Sequence, residues 1–230
     1  MPILEVRNVS VSLDGRTILE DVSFSMERSD SLAIIGPNGA GKTVLLKCLL
    51  GLLPYRGEVR WSGVGRPAWV PQKIDADRSV PLNVRNLLDS KASITGNGRA
   101  AIEHVISHVG LSENVLSTQI GKLSGGQFQR ALIAFALLGD PEVVLFDEPA
   151  ASLDEPGEEQ LYELLHRLQN EHGLSVIVVS HDLSFVYRYA TKVLCLNRTG
   201  TCFGPPKDLT PETLEELFGA KMVHDHLHRT

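Results

Sequence analysis

The chain of 230 residues has no long apolar run. Spanning a bilayer takes roughly 18 or more consecutive apolar residues, and the best candidate, Ala131 to Leu138, is far shorter. Met1 to Leu13 carries Glu5, Arg7 and Asn8 and lacks the apolar centre of a signal peptide. These absences lead us to expect a cytoplasmic protein that reaches a membrane only through a partner. Positive charge is not in excess either. Lys and Arg total 22 against 28 Asp and Glu, a formal net charge of -6, which argues against general nucleic-acid binding because a phosphate backbone needs a basic face. Cysteine is scarce: the 3 present, Cys48, Cys195 and Cys202, are odd in number and not spaced as zinc ligands. They are expected to be ordinary thiols packed as small hydrophobes. There is no internal repeat and no low-complexity segment.

What is present suits one globular domain with an inserted subdomain: 43% hydrophobic and 22% charged residues. Val9, Val11 and Leu13 alternate with Ser10, Ser12 and Asp14, the period of a half-buried strand, before an Asp14-Gly15 turn. Short apolar runs at Ser31–Ile35, Val143–Phe146, Val176–Val179 and Val193–Leu196 read as buried strands. A helix is expected from Lys42 to Leu53, ended by Pro54. Another is expected over Glu158–Gln169, where Leu161, Leu164, Leu165 and Leu168 follow helical spacing. Helical segments dominate from Leu82 to Leu138. The expected fold is α/β: a core of parallel strands and flanking helices with an antiparallel β part at residues 1–71 and 140–230, and a helical subdomain at 72–139.

Gly36, Pro37, Asn38, Gly39, Ala40, Gly41, Lys42 and Thr43 match the P-loop pattern in full, between a short apolar strand and a helix. Glycines let backbone N–H groups turn inward around phosphate oxygens, and the helix N-terminus adds positive potential. Lys42 is expected to reach the β- and γ-phosphates of ATP, and the Thr43 hydroxyl to bind Mg2+, with Val44 closing the nucleotide-binding segment. The strand Val143–Phe146 runs into Asp147 and Glu148. Asp147 is placed to hold Mg2+ and Glu148, pointing differently, to polarise the attacking water as general base.

Leu123, Ser124, Gly125, Gly126 and Gln127 make the pattern specific. With the P-loop and the acid pair, they resemble the signature of the ATP-binding cassette (ABC) ATPase family, and the resemblance covers nearly the whole chain in the family's order. It implies that Gln72 contacts Mg2+ and the attacking water, that Asp154, in the D-loop with Ser152 and Leu153, belongs to the nucleotide-binding set, and that His181 contacts the γ-phosphate. It further implies that Ser124, Gly125, Gly126 and Gln127, opening a helix, bind the γ-phosphate of ATP held by a second copy. The result is a homodimer with two shared sites, as an isologous interface requires. One departure stands out: the family usually stacks an aromatic residue on adenine upstream of the P-loop, and here Leu13 occupies that place.

The presence of Lys42, Glu148 and His181 disfavours a non-hydrolysing regulatory module. The short gap between P-loop and signature leaves no room for the coiled-coil arms of DNA-maintenance relatives, and translation-type relatives usually carry two cassettes. The resemblance therefore implies a motor subunit, peripheral on the cytoplasmic face of the inner membrane, serving two integral-membrane permease subunits and, indirectly, an extracytoplasmic metal-binding protein. In the family a permease helix docks near the Q-loop, here about Gln72 to Leu88, where Val80, Pro81, Leu82, Val84, Leu87 and Leu88 are apolar. The segment Asp77 to Val84 is similar to the zinc/manganese importer branch, with Val80 and Asn83 departing from its pattern, and so is the stretch from Leu194 to Gly219. Importers of other cargo such as iron chelates, and soluble ABC ATPases, are the alternatives. In the tail, His224, Asp225, His226 and His228 leave two readings open: a polar end without a role, or a site for cytoplasmic metal.

Overall fold

The computed structural model describes residues 1–72, 81–197 and 200–218. Along the chain run β1 (Leu4–Leu13), β2 (Arg16–Met26), β3 (Ser31–Ile35), α1 (Lys42–Leu49), β4 (Arg56–Trp61) and β5 (Ala68–Val70). Then come α2 (Val84–Thr95), α3 (Arg99–His108), α4 (Gly125–Leu137), β6 (Val143–Asp147) and α5 (Glu155–His172). The chain continues through β7 (Ser175–Val179), α6 (Leu183–Tyr189), β8 (Lys192–Asn197), β9 (Gly200–Gly204) and α7 (Pro211–Phe218). Chain contacts divide it into two compact units, Met1–Val64 with Ser175–Thr230, and Gly65–Leu174.

In the first unit, β1 pairs antiparallel with both β2 and β4. Its alternation is interrupted at Arg7-Asn8, where the register shifts and Asn8 takes a positive φ of 49°, so that Val6 and Val9 are both buried. Asp14 and Gly15, both at positive φ, make the expected turn. The buried strand β3 pairs in parallel with β7 on one side and β8 on the other. Antiparallel β9 follows β8, and this pairing corrects the cysteine expectation: Cys195 and Cys202 face each other across the two strands, Cα atoms 4.8 Å apart, and form a disulfide. Cys48 stays a free, buried thiol, its pKa pushed up by burial.

Helix α1 ends earlier than the position of Pro54 suggests. Gly51, at φ 70°, reverses the chain, and the amide of Leu52 donates to the Lys47 carbonyl at 2.8 Å, a Schellman closure that only a left-handed residue permits cheaply. The Trp61 indole donates to the Leu49 carbonyl at 2.9 Å, satisfying another group at that helix end.

In the second unit, β5 and β6 pair in parallel, Val70 opposite Phe146. Helix α2 opens on a capping box in which the Asn83 side chain accepts from the Asn86 amide at 2.8 Å and the Asn86 side chain accepts in return. The expected stripe of α5, Leu161, Leu164, Leu165 and Leu168, is buried. The helix extends a turn earlier than its apolar pattern because Asp154 caps it, accepting from the Gly157 amide at 3.2 Å. Among the described residues no helix is long and apolar enough to cross a membrane.

Candidate functional site

The P-loop leaves the end of β3 at Gly36, whose φ is 153°. A Cβ there would fall onto the Leu196 carbonyl oxygen of β8, so the exit from the sheet is open to glycine alone. Gly39 and Gly41 also take positive φ, 80° and 94°, and Gly41 is the residue before α1. The N–H groups of the first turn of α1 thus face the loop, and that turn itself carries no acidic residue. Lys42 is 6% exposed, and its ammonium donates to the carbonyls of Gly36 at 2.8 Å and Pro37 at 3.2 Å. The cation is therefore held over the loop's own backbone, at a place where a phosphate oxygen could replace a carbonyl.

His181 belongs to the same edge of the same parallel strands. Ile34 of β3 lies opposite Val179 of β7, and the Ser180 amide donates to the Ile34 carbonyl at 3.2 Å. Gly36 and His181 therefore emerge side by side at the carboxyl ends of neighbouring strands, where open α/β sheets bind ligands. The His181 side chain is exposed, and the following Asp182 starts α6 by accepting from the Ser184 amide at 2.7 Å.

The second unit assembles the other groups. Asp147 ends the fully buried β6 and is itself 3% exposed. Glu148, next in sequence, has a positive φ of 47°, a conformation that costs a non-glycine residue about 1–3 kcal/mol. The turn aims its carboxylate at Gln72, whose Nε2 donates to Glu148 Oε2 at 2.7 Å. The β5–β6 register explains the meeting, because Gln72 and Glu148 each follow by the same interval the paired Val70 and Phe146.

Ser124 caps α4, its Oγ accepting from the Gln127 amide at 3.2 Å while the Gln127 side chain accepts from the Ser124 amide at 3.1 Å. At Gly125 an added Cβ would lie 3.3 Å from the Ser152 carbonyl oxygen, so the signature helix and the D-loop are packed backbone to backbone. Gly126 has nothing within 4 Å of such a Cβ and presents an open face. The Asp154 carboxylate, expected at the nucleotide, is engaged as the α5 cap. The apolar segment before α2 divides: Val84 and Leu88 are fully buried, whereas Leu82 and Leu87 are half-buried and Pro81 exposed. Val84 and Leu88 are thus internal packing rather than a groove, and Asp77 and Val80 fall outside the described residues, as do Gly219 and the histidines of the tail.

One contact escaped sequence reasoning. Ile18 and Leu19 of β2 close over Gly41, where an added Cβ would lie 3.2 Å from Ile18 Cγ2 and 2.7 Å from Leu19 Cδ2. The alternation resuming after the Asp14-Gly15 turn was the available signal, because it carries the returning strand back past the P-loop.

The family described as "ABC transporter" matches residues 19–151. The zinc import ATP-binding protein ZnuC of Pseudomonas entomophila is 39% identical over 98% of this chain and 90% of its own length. The chain belongs to the ABC transporter family of ATPases. Its likeness extends to a metal transport system ATP-binding protein of Thermotoga maritima, 38% identical over 95% of this chain and 91% of that one. Among solved structures, an inward-facing ABC transporter of metal-chelate type superimposes with a TM-score of 0.86 at 26% identity, covering 95% of this chain and 89% of that chain. The expected α/β P-loop fold of an ABC ATPase is the one observed.

Proposed function

We propose that this ABC ATPase is the motor of a membrane importer for a divalent metal ion of the zinc or manganese class. The observation that carries the reading is the 39% identity, over 98% of the chain, to a zinc import ATP-binding protein. In this reading two copies close on two ATP molecules and transmit that closure to two membrane permease subunits on the cytoplasmic face. An extracytoplasmic metal-binding protein delivers the cargo. The half-exposed Leu82 and Leu87, with Pro81, are the described residues available to a permease helix.

The residue roles follow from chemistry. The P-loop amides from Gly36 to Val44 bind the phosphates, and Lys42 exchanges its backbone carbonyls for phosphate oxygens. The Thr43 hydroxyl, the Asp147 carboxylate and the Gln72 amide oxygen are hard oxygen donors that suit Mg2+. When bound, Mg2+ neutralises charge on the phosphate oxygens. Glu148 takes a proton from the attacking water, with Gln72 fixing the carboxylate through the 2.7 Å bond. His181 donates to the γ-phosphate, and the α4 N-terminus of the other copy, from Ser124 to Gln127, supports it from the opposite side. Asp154 acts through the shape of the D-loop, as the cap of α5.

The base end of the site is aliphatic. Leu13 is half-buried beside the hairpin turn, and aromatic stacking worth about 1–3 kcal/mol is not available from it. Leu13→Tyr is expected to tighten ATP binding by about tenfold, that is about 1.4 kcal/mol, and to change GTP binding by a different factor. Equal affinities before and after, measured by fluorescent-nucleotide competition, would reject Leu13 as the adenine contact.

The importer reading is tested with the natural membrane subunits and binding protein in liposomes. ATP hydrolysis is expected to rise when the binding protein carries zinc or manganese. Stimulation by an iron chelate alone would assign the chain to the metal-chelate type, which the 26% identical structural relative represents.

A further inference from the structure

Three histidines outside the nucleotide machinery meet at one place in the second unit. His104 and His108 lie one turn apart on α3, with ring centroids 4.0 Å apart, and the His172 ring meets His108 edge-on at 4.7 Å. All three line a cavity of about 310 Å³ that Asp140 also borders. His104 and His172 are exposed and His108 is half-buried, so the cluster is open to solvent.

Two features suit it to a cation. His108 Nδ1 lies 2.8 Å from the His104 carbonyl oxygen. A carbonyl only accepts, so Nδ1 carries the hydrogen and Nε2 of the neutral ring keeps its lone pair. A backbone carbonyl on the far nitrogen is the usual support of a metal-bound imidazole, fixing its tautomer and orientation. His108 is also the last residue of α3 and His172 the last of α5, so two helix C-termini bring their negative ends to the site. Arg130 and Arg167 already answer part of this potential, donating to the Val109 carbonyl at 2.6 Å and the His108 carbonyl at 3.1 Å.

We propose that His104, His108 and His172 form a binding site for one divalent transition-metal ion, tying the end of α3 to the end of α5. Imidazole nitrogen suits zinc, copper and nickel, and Asp140 or water completes the coordination. Among the described residues no group of three or more His, Cys, Asp or Glu side chains is placed to hold a metal ion as it stands, these histidines included. Binding therefore turns the exposed His104 and His172 side chains, whose rotamers exchange rapidly. The site shares no residue with the P-loop and does not depend on which cargo the importer carries.

The test uses the full-length chain with His224, His226 and His228 replaced by glutamine, so that the tail imidazoles contribute nothing, in buffer free of nucleotide and magnesium. Zinc chloride alone is titrated by calorimetry. One equivalent is expected to bind. His104→Gln and His172→Gln are each expected to weaken it at least about tenfold, since even outer-shell losses cost 10–100-fold. Unchanged stoichiometry and affinity in the double variant would overturn the site. Should the variants lose their fold by circular dichroism, labelling of the unaltered chain with diethyl pyrocarbonate decides. Zinc must then protect His104, His108 and His172, and labelling that zinc leaves unchanged refutes the proposal.

Discussion

Glu148→Gln is expected to lower ATP turnover by about 10²–10⁴-fold, the range attributed to a positioned general base, while leaving nucleotide affinity and thermal stability close to those of the parent chain. The structural reason is that glutamine keeps the acceptor oxygen. Gln72 Nε2 donates to Glu148 Oε2 at 2.7 Å, and an amide oxygen at the same position receives that bond. Neither the left-handed backbone at residue 148 nor the buried end of β6 has cause to move. What is lost is basicity: an amide does not take a proton from water near neutral pH. Phosphate release and equilibrium nucleotide binding, measured side by side, check both halves. A variant retaining more than a tenth of the parent rate would remove Glu148 from the general-base role.

Gly36→Ala is expected to be the most damaging small substitution in the P-loop. The added methyl would occupy the position of the Leu196 carbonyl oxygen. That oxygen belongs to β8, the strand beside β3, and shifting it disturbs the sheet as well as the loop. The positive φ adds about 1–3 kcal/mol of backbone strain. The expected outcome is a lowered melting temperature together with loss of measurable ATP binding. Gly126→Ala provides the contrast, because open space surrounds that position. It should leave the melting temperature within a degree or so of the parent, surface changes usually staying within about 0.5 kcal/mol. Equal melting temperatures for the two variants would contradict the packing described at Gly36.

Much of this was legible in the residues. The P-loop was readable because its chemistry is local: glycines at fixed intervals set positive φ, and Gly36, Gly39 and Gly41 have it. The buried strands Ser31–Ile35 and Val143–Asp147 were readable because both faces are covered and their apolar runs are continuous. Less local features were not. In the sequence Pro54 is the stronger breaker and marks the α1 stop, although Gly51 and the Leu52–Lys47 bond end the helix first. The Cys195–Cys202 disulfide depends on the β8–β9 register, which an odd cysteine count does not disclose. The contact of Ile18 and Leu19 with Gly41 depends on where a hairpin lies in space. Val84 and Leu88 looked available for a partner because an apolar residue has the same letter whether it faces a core or a groove.

The central claim is that the α4 N-terminus of one copy completes the nucleotide site of another. Its most direct test is the molar mass of the Glu148→Gln chain in magnesium and ATP, by light scattering, with and without Ser124→Arg. Ser124 caps α4 beside the open Gly126, and an arginine there blocks the face while leaving the P-loop residues unaltered. The expected result is a dimer for Glu148→Gln and a monomer for the double variant, both still binding ATP. A monomer in the first case, or an unaffected dimer in the second, would contradict a site shared between two chains.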